Sequence, residues 1–320
     1  MYRLAKRIFP HSEHSVFLVS SLDYFVFDRA AYQLLRQRIG QGTRWDVLHR
    51  VTPVTLAAPT WLGRLGIPTV IGPLNSGLTD PPGFSAILRQ ESTWLVKVRE
   101  FGRLFDGLIG SSRRAARLLT ATQATLSGIP QKFRGRCLSM VENGIDLSRF
   151  PATPWPAAPS ADNPLRILFV GRLIPAKALS LLLEAVAQLV SRGLAVRLSV
   201  VGDGPLREQW EAQARALGLE ALVTFKGALP ASGVASELQA AHVFCLPSVR
   251  ESGGAVLLEA MAAARPAIAM NFGGPAELID ATVGQLIDLT SPAAAVRDLA
   301  NALHDVIQHP DDWQARGVAG

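Results

Sequence analysis

From residue 166 onward, short apolar runs rich in β-branched residues alternate with longer stretches whose apolar positions recur at helical spacing. The runs Arg166 to Val170, Val196 to Val201, Val223 to Phe225, Val243 to Leu246, Ala267 to Met270 and Gln285 to Leu289 are predicted as buried strands. Helices are predicted at 179–189, 206–217, 232–240, 255–264 and 296–307. Repeated βα units of this length imply a parallel, doubly wound sheet. The first half is less regular. Its pattern predicts strands at 46–48, 69–71, 107–110 and 137–141, and helices at 29–38, 85–105 and 112–119, again an α/β arrangement.

Between the halves, residues 151–165 carry five prolines in fifteen positions, which excludes helix interior and central strand and marks a surface linker. The expected organisation is therefore a unit at 1–150, a linker at 151–165 and a unit at 166–320. The length of 320 residues agrees with two domains at ~150 residues each. Apolar residues make up 48% and charged residues 18%, enough to bury a sizeable core and too little charge for a disordered chain. The apolar stretch His14 to Phe27 is interrupted by Asp23 and three serines, so it does not read as a spanning helix, and the basic start does not read as a secretory signal. Two cysteines far apart, Cys137 and Cys245, exclude a disulfide scaffold or zinc ribbon and fit a reducing, cytoplasmic setting.

The net charge of +6 is uneven. Residues 1–150 hold 20 Lys and Arg against 10 Asp and Glu, and residues 151–320 hold 12 against 16. A basic half suggests an anionic partner. Nucleic acid is disfavoured, because aromatics are sparse around the clusters Arg113-Arg114-Ala-Ala-Arg117 and Lys132-Phe-Arg-Gly-Arg136 and no binding motif accompanies them. An anionic membrane surface on the inner face is the preferred partner, each basic residue adding roughly 1 kcal/mol. The alternative is a solvated helix face.

Ligands of open α/β sheets bind at the carboxyl ends of the strands, and four such ends carry candidate chemistry. Gly171-Arg172-Leu-Ile-Pro-Ala-Lys177 places two cations after a buried strand, a clamp for phosphate or else plain surface charge. Gly202-Asp-Gly204-Pro205 is a tight turn that lacks the third glycine of a dinucleotide fingerprint. In Arg250-Glu251-Ser-Gly253-Gly254-Ala255-Val256-Leu-Leu-Glu259, a glycine pair opens a helix whose free amides can hold an anion. The two carboxylates, a reach of roughly 10–12 Å apart by helical rise, could serve a sugar and a ribose on either side of a phosphate. They could equally be a dipole-complementing acid and a solvated one. Asn271-Phe-Gly273-Gly274-Pro-Ala-Glu277 is a further glycine-rich turn before a helix.

The order of these motifs, with Leu-Leu-Glu-Ala-Met at 257–261 and Val141-Glu-Asn-Gly-Ile-Asp146 before the linker, resembles the retaining glycosyltransferases of family 4 over residues 45–320. That resemblance implies the GT-B fold, two Rossmann-like doubly wound domains facing a cleft. The C-terminal domain would take a nucleotide-diphosphate sugar and the N-terminal domain a glycan or lipid-linked acceptor, in cell-envelope or exopolysaccharide synthesis. It implies no cofactor and no metal, since cations meet the diphosphate. By the same likeness Arg172 and Lys177 contact the diphosphate, Glu251 the donor sugar and Glu259 the ribose. Gly171, Gly202, Gly204, Gly253, Gly254, Ala255 and Val256 line the donor. Three departures are expected to matter. No strand with a glycine-rich loop precedes Asp46, so the N-terminal domain reads as incomplete. Gly72-Pro-Leu-Asn75-Ser76-Gly77 stands where many members carry a histidine, leaving His49, Asn75 and Ser76 as acceptor-side candidates. The final helix that packs across both domains is expected to be missing. A binder of nucleotide sugar that has lost catalysis is the alternative. An epimerase is disfavoured by the absence of a dinucleotide fingerprint.

Overall fold

The computed structural model describes residues 13–75, 78, 80–88 and 106–320. It resolves into two compact units, residues 1–78 with 91–142, and residues 79–90 with 143–320.

The first unit opens on α1 (Glu13–Gly40). Asp28 of this helix is buried and accepts from Thr60 Oγ1 at 2.5 Å and Trp61 N at 2.8 Å, tying α1 to the loop that precedes β2. Four parallel strands follow in the spatial order of the chain: β1 (Leu48–Arg50), β2 (Thr69–Leu74), β3 (Arg117–Thr120) and β4 (Cys137–Ser139). Ile71, Leu74, Ala115, Leu118 and Ile129 form its core.

Two expectations for this region are corrected. Residues 107–109 are helical instead of a strand, and the strand is β3, inside the stretch expected as a helix at 112–119. The helical turn α3 (Ser111–Arg114) ends because Arg136 caps it, donating to the Ser112, Arg113 and Ala115 carbonyls. The next residues then extend and bury Leu118 and Thr120 on alternate positions. The expected helix at 85–105 is described only for α2 (Ser85–Leu88), and its remainder lies outside the described residues. Two short helices, α4 (Gln123–Gly128) and α5 (Gln131–Arg134), lead into β4; Thr122 caps α4 by accepting from Thr125 N.

The second unit is a six-stranded parallel sheet in the order β10-β9-β8-β5-β6-β7. Its strands are β5 (Leu165–Val170), β6 (Val196–Val201), β7 (Val223–Gly227), β8 (Val243–Leu246), β9 (Ala267–Met270) and β10 (Gly284–Ile287). The helices are α6 (Leu179–Ser191), α7 (Arg207–Ala216), α8 (Ala231–Ala240), α9 (Ala255–Ala262), α10 (Pro275–Leu278), α11 (Pro292–Gln308) and α12 (Pro310–Ala319). This is the doubly wound order, with the direction of winding reversing between β5 and β8. Alternate residues of β5 feed opposite faces: Leu165, Ile167 and Phe169 join the core under α6 and α11, and Leu168 joins the core under α8 and α9. Ser291 starts α11 by accepting from Ala294 N, with Pro292 at its first position.

Residues 80–88 and 143–150, expected within the first unit, pack with the second. Phe84 (0% exposed) and Leu88 sit in the core of α6 and β5, and Ile145 and Phe150 against that of β8 and α9. The Pro-rich stretch is held to this unit as well. Arg265, fully buried, donates to the Thr153 and Pro154 carbonyls and to Thr153 Oγ1, and Trp155 Nε1 donates to the His242 carbonyl at 2.8 Å.

Candidate functional site

The carboxyl ends of the second sheet carry four loops joined backbone to backbone. After β5, Gly171 N donates to Val201 O and Leu173 N to Asp203 O at 2.9 Å, locking the 171–173 loop onto the 202–205 loop. Gly202 adopts a φ of 130°, and a Cβ there would fall well inside contact distance of the Gly171 carbonyl. A Cβ on Gly204 would meet the Leu173 carbonyl at 2.5 Å. Both glycines are thus required by loop-on-loop packing. After β8, Val249 N bonds to Ala176 O at 2.9 Å, and Glu251 O accepts from Gly274 N at 3.0 Å.

Within this frame Lys177 and Glu251 meet. The Lys177 stem lies over Gly171, 3.6 Å from where a Cβ would stand, and its ammonium pairs with Glu251 Oε2. The other oxygen, Oε1, accepts from Gly254 N at 3.3 Å. Glu251 therefore occupies the start of α9, where free amides and the helix dipole favour a negative charge. The amide of Gly254, expected to hold a phosphate, is engaged by this carboxylate. The pair lies at the switch point between β5 and β8, the position at which doubly wound sheets bind ligands.

Arg172 is exposed at the tip of β5. Glu259, half-buried on α9, has no side-chain partner among the described residues, and burial raises its carboxyl above the usual range. Gly253, Ala255 and Val256 lie between the two acids at the start of α9.

Two residues that motif reading missed stand beside this pair. Asp80 Oδ1 accepts from Arg250 at 2.8 Å, next to Glu251 in the chain, and α2, which follows the buried Phe84, packs on the 3-10 turn Pro175–Lys177. No motif announces them. The only signal was an apolar Phe and Leu four apart after a Pro-Pro-Gly turn.

The acceptor-side candidates belong to the first unit. His49 is tied to the Gly72 carbonyl at 2.7 Å through Nε2, and Asn75 donates to Glu142 Oε1 at 3.2 Å. Ser76 lies outside the described residues. The basic clusters are partly structural. Arg114 donates to the Ile109 carbonyl, Arg134 to those of Ser127 and Ile129, and Arg136 caps α3, while Arg117 and Lys132 stay exposed. Among the described residues no helix is long and apolar enough to cross a membrane.

A D-inositol 3-phosphate glycosyltransferase of Kribbella flavida is 33% identical over 195 residues, 57% of this chain and 45% of that protein. A 2-deoxystreptamine glucosyltransferase of Streptomyces kanamyceticus is 32% identical over 219 residues, 65% and 55% of the two chains. The chain thus spans about half the length of the curated relatives it matches. Among solved structures, the apo lipopolysaccharide outer core galactosyltransferase WaaB superposes with a TM-score of 0.63 at 19% identity, over 90% of this chain and 72% of that one. Anabaena HepE in complex with UDP and glucose gives 0.62 at 20% identity, over 91% and 74%. These likenesses identify the fold as GT-B. The profile of the family described as glycosyl transferases group 1 matches residues 156–318, half of the chain, and the chain belongs to that family.

Proposed function

We propose that the second unit binds a nucleotide-diphosphate sugar and that the protein transfers a hexose from it, with retention of configuration, to a glycan or lipid-linked acceptor of the cell envelope. The observation that carries this reading is the meeting of Lys177 with Glu251 at the switch point, against the start of α9. The names of the relatives and the UDP seen in HepE support it.

In this reading Lys177 and the exposed Arg172 meet the diphosphate, whose charge grows as the sugar leaves; fixed cations aimed at developing charge lower the barrier without reorganising. Glu251 orients the sugar through its hydroxyls, and Glu259, without a side-chain partner among the described residues, accepts from the ribose. Much of the rate gain is positioning. The diphosphate charge is met by side chains, so a metal is not needed there.

The test is a thermal-shift screen across UDP- and GDP-sugars, followed by a transfer assay with labelled donor. A donor shift is expected, abolished by Lys177→Ala and by Glu259→Ala. Either variant retaining the full shift refutes the pocket, and binding without turnover would leave a nucleotide-sugar binder.

A further inference from the structure

The four parallel strands of the first unit follow one another in space in chain order. Right-handed crossovers that always step in the same direction leave every connection on one face of the sheet. The unit obeys this rule. Leu56 from the β1–β2 connection, Gly110 and Arg113 from the β2–β3 connection and Phe133 from the β3–β4 connection all border one cavity. Leu56 and Phe133 pack with Ile71, Leu118 and Cys137, which share a face by register. The second unit winds away from β5 in both directions and so has a core on either side of its sheet.

The opposite face of the first sheet is left open. His49 stands beside Val70 on it, and Leu119 beside Leu138, while Val47, Val51 and Met140 continue it by alternation. Val47, Val51, Leu138 and Met140 are each between 41% and 53% exposed. All-parallel sheets are covered on both faces, so this one lacks a layer. The layer that fits is a helix with an apolar stripe.

The chain carries such a helix. One side of α1 is fixed in place, by Tyr24 donating to the Pro59 carbonyl at 3.2 Å and by Asp28 accepting from Thr60 and Trp61. On its other side Val26, Phe27, Ala30 and Leu34 recur at helical spacing and point outward, with Val26, Phe27 and Leu34 53–71% exposed. The stripe is ~12 Å long by helical rise, and four strands span ~14 Å. The two surfaces match in kind and in size. Within one chain both stay open, because α1 is anchored to the 59–61 loop.

We propose that two copies of this chain pair about a two-fold axis, each laying the outer stripe of α1 on the open sheet face of the other. Two-fold symmetry makes both contacts form together. The apolar side chains named here expose roughly 700–800 Å² per chain, so pairing buries about 1,500 Å², the size of a standard specific interface. Arg29, Arg36 and Arg38 flank the stripe, and Arg117 stands on the sheet face. These charges repel between copies, so the attraction is apolar and salt screens only what opposes it. Docking on an anionic lipid surface would show the reverse dependence.

Sedimentation equilibrium and light scattering on the full chain read the mass, and hydroxyl-radical footprinting reads the surfaces. A dimer with a Kd at or below about 1 μM is expected, unchanged or tightened as salt is raised. Phe27→Lys on the helix and Leu138→Lys on the sheet should each weaken it at least ~100-fold, with circular dichroism and melting temperature of the monomer retained, since both positions are exposed. Leu34→Lys and Val51→Lys are second variants of the same two surfaces. The distinguishing readout is reciprocal. In the dimer Phe27 and Met140 are both protected from oxidation; Leu138→Lys alone should expose Phe27, and Phe27→Lys alone should expose Met140. A monomer at about 100 μM, a hundredfold above the expected Kd, would overturn the proposal. So would a dimer that survives either substitution, a Leu138→Lys chain whose Phe27 stays protected, or a monomeric chain that binds anionic vesicles through Phe27 and is released by salt.

Discussion

Replacing Glu251 with Gln should tighten the binding of a nucleoside diphosphate while slowing transfer. The carboxylate holds the Lys177 ammonium on one oxygen and the Gly254 amide on the other. A diphosphate that uses Lys177 must compete with that carboxylate. Glutamine keeps the shape and can still accept from Gly254, so the change isolates the charge facing Lys177. The two side chains are 17% and 14% exposed, between the surface pairs worth ~0.2–1 kcal/mol and the buried pairs whose disruption costs about 3–5 kcal/mol. About 1–2 kcal/mol of that interaction then becomes available to the ligand, which converts to roughly a 5- to 30-fold lower Kd. Titration calorimetry with UDP and GDP at moderate ionic strength reads this directly. In a Lys177→Ala background the same substitution should gain nothing, because the cation it releases is gone. Turnover should fall in parallel by roughly 100-fold, the scale expected when a group that positions the reacting sugar is altered. Unchanged or weaker affinity of Glu251→Gln for both nucleotides would refute the competition, whatever happened to turnover.

The segment that docks beside Lys177 and Arg250 gives a second expectation. Asp80→Asn should raise the donor KM several-fold with kcat and melting temperature nearly constant, and Phe84→Ala should do so at a stability cost of about 3–5 kcal/mol measured by urea denaturation. Gly202→Ala forces a Cβ into the Gly171 carbonyl and should remove the donor-induced thermal shift; retention of the full shift would show that the two loops are not in contact. His242 is buried, accepts from Arg166 N on Nδ1 and bonds to the Ala157 carbonyl through Nε2, and burial lowers its pKa from 6.5 to about 4. Unfolding lets it protonate, so its contribution is complete above pH 6.5 and is lost as pH falls towards 4. Between pH 7 and 4.5 the loss is about 2 kcal/mol, to be measured in urea melts with a His242→Gln control.

The central strands of the second unit were legible because β8 and β9 are buried at every position, leaving continuous apolar runs between turns, and β6 keeps an apolar run broken only at Arg197 and Ser199. Val196–Val201, Val243–Leu246 and Ala267–Met270 fall where the pattern places them. The first unit was harder because its elements are short and owe their form to distant partners. Nothing local tells that Arg136 ends α3 and lets Arg117–Thr120 extend. At the site, the positions of Lys177 and Glu251 were readable as strand-end charges, but not that they face each other, which depends on the crossover that brings β5 beside β8. Asp80 and Phe84 were invisible for a similar reason. Their contacts lie 170 residues away in one case, and composition assigns such a segment to its sequence neighbours.

The loops above the second sheet touch through main chain, with glycines at 202, 204 and 274 where any side chain would collide with a neighbouring loop. Their shapes cannot drift one at a time. An insertion in the 171–177 loop must be answered in the 202–205 loop, and a change at 251–253 in the 271–274 loop. Attempts to retarget donor preference by transplanting a single loop from a relative should therefore misfold the rim, whereas moving the four segments as one cassette should preserve it. Diversification across this family is expected to reuse the rim as a block and to vary by side chain on its outer surface.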